Sequence, residues 1–287
     1  MEQQVNKKLV LQWHPAFFAE LQIEFGEEVK KMLLESEHQL GTRPKEIDVL
    51  IIKKNSEEPI EKNIGRIFRK HNIVEYKSPA DYLSVDDYYK VHAYACFYKV
   101  DTAEEDSIKA EEITISFVTK RYPRNLIRHL REVRSCEVVW QEEGIYYVFG
   151  DFFPMQIIVT SQLSKEKNFW LRNLTDDLRD SAVLQEITTE YQKNRTSPLH
   201  RSVMNAIVRA NREQFKEDEN IMCEAIIELF QEEYDAGIKA AREDAMKQGM
   251  KQGKCSNLAE LVSDGLLAMD EAVKRSNLSE EEFRKLL

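Results

Sequence analysis

Two short runs decide how this chain is read: Ile47-Asp48-Val49-Leu50-Ile51-Ile52 and Asn72-Ile73-Val74-Glu75-Tyr76-Lys77. Both are rich in β-branched residues. Pro44 precedes the first run, Asn55 and Pro59 follow it, and Ser78-Pro79 closes the second, so both read as strands bounded by turns. Each carries charge that an apolar strand does not tolerate cheaply unless it is paired or bound to a cation. Side chains alternate along a strand, so Glu75 and Lys77 point to one face and Tyr76 to the other. If the two strands are neighbours, one face gathers Asp48, Glu75 and Lys77. Two carboxylates and an ammonium make a candidate divalent-metal site. Mg²⁺ (or Mn²⁺) takes hard carboxylate oxygens and completes its shell with water and phosphate oxygens. It lowers the pKa of a bound water, and Lys77 is placed to orient that water and neutralise developing charge.

Outward from these strands the pattern is α/β. Residues 14–34 read as one helix, with Phe17, Phe18, Leu21, Phe25 and Val29 within an arc of about 120°. Ser84 with Asp87 three residues on predicts a capping box opening a helix through Tyr98. Ile113–Val118 reads as a strand, Pro123 to Arg134 as a helix, Val138–Trp140 and Ile145–Phe149 as a hairpin, and Met155–Thr160 as a further strand. Beyond about residue 163 the pattern is helical: 165–193, 199–215, 219–254, 256–275 and 279–287, with Ser279 as an N-cap. The expected organisation is an α/β core over 1–160, a helical accessory region over 161–236 and a helical tail over 237–287.

Lys45-Glu46-Ile47-Asp48 followed by Glu75-Tyr76-Lys77 resembles the motif of the PD-(D/E)XK nucleases. The string HNIVEYKSPADYLSVDDYYKVHAYACFYK (71–99) is similar to the transposase-associated, recombination-promoting nuclease branch. Gly249-Met250-Lys251-Gln252-Gly253 is similar to the glycine-rich repeats of that branch's tail, and Asp264 through Phe283 resembles its ending. The resemblance covers about residues 10–160 and 237–287. It implies a restriction-endonuclease-like αβββαβ core with a helical C-terminal region. It further implies DNA hydrolysis with Mg²⁺ or Mn²⁺, the metal held by Asp48, Glu75 and the Tyr76 carbonyl. An acidic residue of the first helix would assist, and Glu24 is chosen over Glu20, Glu27 and Glu28. Lys77 would position the attacking water, leaving 5′-phosphate and 3′-hydroxyl ends. The chain departs from the family in having Ile47, not proline, before Asp48.

DNA needs positive charge, and the net charge is -10. The balance is uneven. Residues 211–287 hold 11 basic and 18 acidic side chains, whereas 120–134 hold six basic and one acidic. Arg121, Arg124, Arg128 and Arg131 follow a spacing that puts them on one helix face, with Leu126, Ile127, Leu130 and Val133 opposite, a candidate phosphate-binding surface. Lys62, Arg66, Arg69 and Lys70 form a weaker cluster. DNA is therefore the expected partner, bound weakly and with salt sensitivity.

No apolar run approaches membrane-spanning length, and the polar Met1-Glu2-Gln3-Gln4 start lacks a signal-peptide core. Cys96, Cys136, Cys223 and Cys255 are widely spaced, which suits reduced thiols in a cytoplasm. The six histidines show no zinc spacing, and Gly249 to Lys254 lacks the spacing of a phosphate-binding loop. Glu280, Glu281 and Glu282 argue that the closing helix pair is a packing unit, not a DNA reader. Two rival readings keep the fold without the chemistry. One is a non-catalytic DNA-binding protein. The other is an interaction module that self-associates through the C-terminal helices.

Overall fold

The computed structural model describes residues 13–35, 49–101, 106–217, 224–276 and 278–284. The chain divides into two compact units between Cys223 and Glu224.

The first unit is α/β. It opens with α1 (Trp13–Phe25), then β1 (Met32–Glu35), β2 (Val49–Lys54), β3 (His71–Tyr76), α2 (Val85–Val100) and β4 (Ile113–Thr119). α3 (Arg124–Glu132), β5 (Glu137–Glu142), β6 (Ile145–Phe149) and β7 (Met155–Val159) follow. Among the described residues one mixed sheet has the order β1-β2-β3-β4-β7-β6-β5. β3 runs parallel to β4 and β4 to β7, while the flanking pairs are antiparallel.

The central strands β3, β4 and β7 are buried along their whole length, their polar residues included, as strands covered on both faces are. Their alternation splits the core into two layers. Ile73, Ile115, Phe117 and Ile157 pack with Tyr88, Val91 and Ala95 of α2 and Leu126 and Leu130 of α3. On the other face Tyr76 stacks on Phe17 of α1, ring centroids 4.1 Å apart. Buried polar residues tie the strand starts together. Asn72 donates to the carbonyls of Ile52 and Arg69, and its own oxygen accepts from Arg69 N and the Thr114 hydroxyl.

The single helix expected over 14–34 is corrected to α1, a 3-10 stretch (Gly26–Lys31) and β1. Gly26 adopts φ +51, which ends α1. Met32–Glu35 then pairs antiparallel with Ile51–Lys54, so a ladder partner unseen in the sequence overrides helical periodicity. Val29 is half-buried, outside the α1 core face. The capping box at Ser84 and Asp87 is present. Val133, expected on the apolar face of α3, is exposed, because α3 ends at Glu132.

The region expected as helix 165–193 is divided into α4 (Phe169–Asn173) and α5 (Ser181–Lys193). α6 (Pro198–Ala210) and α7 (Arg212–Glu217) follow. α4 and α6 pack against α1 within the first unit, so this accessory stretch belongs to the compact α/β unit.

The second unit begins with α8 (Glu224–Ser263), a continuous helix through the expected break near 254 and across the expected 236/237 boundary. α9 (Met269–Ser276) and α10 (Glu280–Arg284) pack on its end around Leu258, Ala259, Ala272 and Phe283. Ser279 caps α10 as expected, paired reciprocally with Glu282. No described helix is long and apolar enough to cross a membrane.

Candidate active site

The end of β3 holds Glu75 and Lys77 on one side, as strand alternation requires, with Lys77 Nζ 3.1 Å from Glu75 Oε1. The backbone of Lys77 continues the ladder by donating to the Val118 carbonyl at 2.9 Å. Glu75 is only 2% exposed. Its Oε1 also faces Lys90 of α2 at 3.7 Å, while its buried Oε2 has no hydrogen-bond partner. A buried carboxylate oxygen without a donor is costly, and it marks a position suited to a cation.

Lys77 is held from a second direction. Its Nζ donates to Asp87 Oδ1 at 2.7 Å. Asp87 Oδ2 accepts from Ser84 N at 2.9 Å and Ser84 Oγ at 2.7 Å, so the cap of α2 fixes the carboxylate that fixes the lysine. Burial acts to depress the Lys77 pKa, but the hydrogen bond to Asp87 and the Glu75 charge outweigh it and hold it above the ordinary lysine value. For Asp87, burial acts to raise the pKa, and the bonds from Lys77 and Ser84 override it and hold the carboxyl below its usual value.

The other expected site residues are distributed as follows. Asp48 lies outside the described residues, although Val49 next to it stands opposite Glu75 in the β2–β3 register. The Tyr76 side chain points away from Glu75, onto Phe17, and its hydroxyl is buried without a partner. Burial, and then the nearby Glu20 charge, push the Tyr76 phenol far above its usual pKa. Glu24 is buried, and its partners are Lys62, the Asn168 amide at 3.1 Å and Leu171 N at 3.4 Å. Among the described residues, none of these partners is shared with Glu75. Glu20, one turn earlier, is completely buried beside Glu24, and neither of its oxygens has a donor. Burial first, and then the Glu24 charge, raise its pKa well above the usual range.

Arg121, Arg124, Arg128 and Arg131 are all exposed. Arg121 precedes α3, so the expected four-residue helical row is corrected to three, Arg124, Arg128 and Arg131, opposite buried Leu126, Ile127 and Leu130. This basic helix adjoins the Glu75–Lys77 end of the sheet. Asn125 N donates to the Tyr82 hydroxyl of the loop after β3, and the Tyr89 hydroxyl of α2 lies 2.9 Å from His129 Nε2. The second basic cluster sits at the other end, just before β3 starts. There Lys62 pairs with Glu24, Arg66 with Glu142 and Lys70 with Glu112, which is the behaviour of structural ion pairs. A cleft of about 800 Å³ opens beside it, lined by Arg69, Tyr147 and Phe153 among others, away from Glu75.

A polar group that sequence reading did not single out lies behind α2. Asp151, in the turn between β6 and β7, accepts from the Tyr88 hydroxyl at 2.5 Å and faces His92 Nε2 at 3.4 Å and Arg134 at 3.7 Å. Arg134 also donates to the Tyr88 oxygen at 3.1 Å. Tyr88 and His92 share a helix face at i, i+4, but no spacing in the sequence joins them to Arg134 and Asp151. The fold alone assembles them.

Among the described residues no three His, Cys, Asp or Glu side chains cluster as a metal cage. The donor set at β3 still suits a hard divalent ion in one respect, the unsatisfied Glu75 oxygen. Comparisons with protein-family models, curated protein sequences and solved structures find no match.

Proposed function

We propose that the chain is a metal-dependent DNA endonuclease of PD-(D/E)XK type, akin to the transposase-associated, recombination-promoting nucleases. The observation that carries this reading is the Glu75–Lys77 pair at the end of β3, with a buried carboxylate oxygen left without a partner. The succession α1-β1-β2-β3-α2-β4, with β3 parallel to β4, supports the restriction-endonuclease-like αβββαβ core. The arginines of α3 beside that end of the sheet support phosphate binding.

In this reading Glu75, with Asp48, the residue just before Val49 in the sequence, would hold Mg²⁺ or Mn²⁺. The ion supplies charge stabilisation at the phosphate and acidifies a bound water. Lys77, clamped between Glu75 and Asp87, orients the water and offsets the charge that develops on the phosphate. Asp87 keeps the ammonium in place, and Arg124, Arg128 and Arg131 position the backbone of DNA. The test is nicking of supercoiled plasmid by purified protein with Mg²⁺ or Mn²⁺. Cleavage by the wild type that is lost in both Lys77→Ala and Glu75→Gln supports the assignment. Equal cleavage by Lys77→Ala and wild type refutes it.

One observation favours a non-catalytic DNA-binding protein instead. Glu75, Asp87, Lys77 and Lys90 balance two negative charges with two positive ones, so the group is electrostatically closed without a metal. That reading expects salt-dependent DNA binding and no metal-dependent cleavage.

A further inference from the structure

We propose that α8 is a self-association helix that pairs antiparallel with α8 of a second copy of this chain. This does not rest on the nuclease reading. α8 is 40 residues long, and most of its middle is exposed. That exposed middle gains nothing from packing, although both ends of α8 hold buried side chains, and helices in proteins draw most of their stability from a packed face. Three glycines add to the difficulty, each costing about 1 kcal/mol against alanine in a helix interior. A Cβ added at Gly237, Gly249 or Gly253 meets nothing within 4 Å.

The exposed surface is not uniform. Ile227, Tyr234, Ile238, Ala241, Ala245 and Gly249 fall within about 80° of one another at the helical period. Ile227, Ile238 and Gly249 are eleven residues apart, as are Tyr234 and Ala245. A period of eleven keeps such a seam on one side of a helix over many turns. Ile227 is 54% exposed and Tyr234 64%.

Two independent complementarities identify the occupant as an antiparallel copy. The first is size. The seam is large at its start and small at its end. Antiparallel pairing about the 239/240 midpoint sets Ile238 against Ala241 and Tyr234 against Ala245, so large side chains meet small ones. A parallel pair sets tyrosine on tyrosine and glycine on glycine. The second is charge. Residues 224–238 contain five acidic side chains and no basic one, whereas 239–254 contain five basic and two acidic. Antiparallel pairing brings the acidic half onto the basic half, and parallel pairing opposes like charges.

The experiment uses the full chain. Sedimentation equilibrium at micromolar concentration is expected to give twice the chain mass for the wild type. Ile238→Asp is expected to give a monomer with unchanged helical circular dichroism. Orientation is read by disulfide trapping, with the native cysteines replaced by serine. A mixture of Tyr234→Cys and Ala245→Cys chains should cross-link, while each alone should not. A wild type that stays monomeric overturns the proposal, because the seam is then covered by its own chain or by nothing. Cross-linking of Tyr234→Cys to itself also overturns it, because the pair is then parallel. If the cysteine-free background fails to fold, salt decides. An antiparallel pair held by opposite charges loosens at high ionic strength, and tightening refutes it.

Discussion

Lys77 reaches from the end of β3 to Asp87 in the first turn of α2, Nζ to Oδ1 2.7 Å, so one ion pair joins the sheet to the helix cap. Asp87 serves twice, since its other oxygen completes the capping box with Ser84. Asp87→Asn keeps the shape, removes the charge and weakens both functions. We expect a loss of about 1–2 kcal/mol, read as a lower urea midpoint at pH 7. The Lys77 ammonium should also titrate at lower pH, because a charge that stabilises it is gone. An unchanged midpoint rules out the coupling of cap and ion pair.

Asp151 predicts an acid limit to stability. Burial acts to raise its pKa, but the His92 ring facing it and bonds from the Tyr88 hydroxyl and Phe152 N hold it well below the usual carboxylate range. A depressed folded-state pKa gives stability that is present above the unfolded value, near pH 4, and is lost as pH falls through the folded one. Asp151→Asn should therefore cost about 3 kcal/mol near pH 7. The gap from wild type should close as the medium is acidified below about pH 4. Denaturation midpoints measured from neutral to acid pH check both the size and the direction. A gap that widens toward acid contradicts the assigned role.

Glu20 predicts the opposite sign. Its folded-state pKa is raised, so the unfolded chain ionises first and the fold loses stability as pH rises above the unfolded value, near pH 4.5. Glu20→Gln removes that ionisation. It should stabilise the protein by about 1–2 kcal/mol at neutral pH, with the gain vanishing at acid pH. Thermal unfolding of the two proteins at pH 4 and pH 7.5 is a sufficient comparison.

The arginines of α3 predict the salt dependence of DNA binding. Arg124→Glu with Arg128→Glu should weaken binding to a random duplex by about tenfold or more and flatten the slope of affinity against salt by roughly one unit per lost phosphate contact. The fold should be unaffected, because both side chains are exposed and the core face of α3 is untouched. Unchanged affinity moves the DNA surface elsewhere.

Much of the first unit is legible in the sequence because its strands are short, β-branched and bounded by turn formers. β2, β3, β4, the β5–β6 hairpin and β7 all fall close to their expected positions. The capping box is a local signal and is equally legible. β1 is not, because Met32–Glu35 has no periodicity of its own and becomes a strand only by pairing with β2. At the candidate site, alternation along β3 placed Glu75 with Lys77, and that needs no partner to be read. It could not place Glu24, since which face of α1 meets which part of the sheet depends on packing with α4 and α6.

The amino-acid order by itself determined strands β2 to β7, the capped start of α2 and the pairing of Glu75 with Lys77, because backbone periodicity and capping act over a few residues. Only the tertiary structure decided that Asp87 and Lys90 close around that pair, that Glu24 bonds Lys62 and Asn168, and that Asp151 meets Tyr88, His92 and Arg134. Those meetings join positions from 10 to 144 residues apart. They are fixed by burial and strand order, and no single stretch of sequence records them.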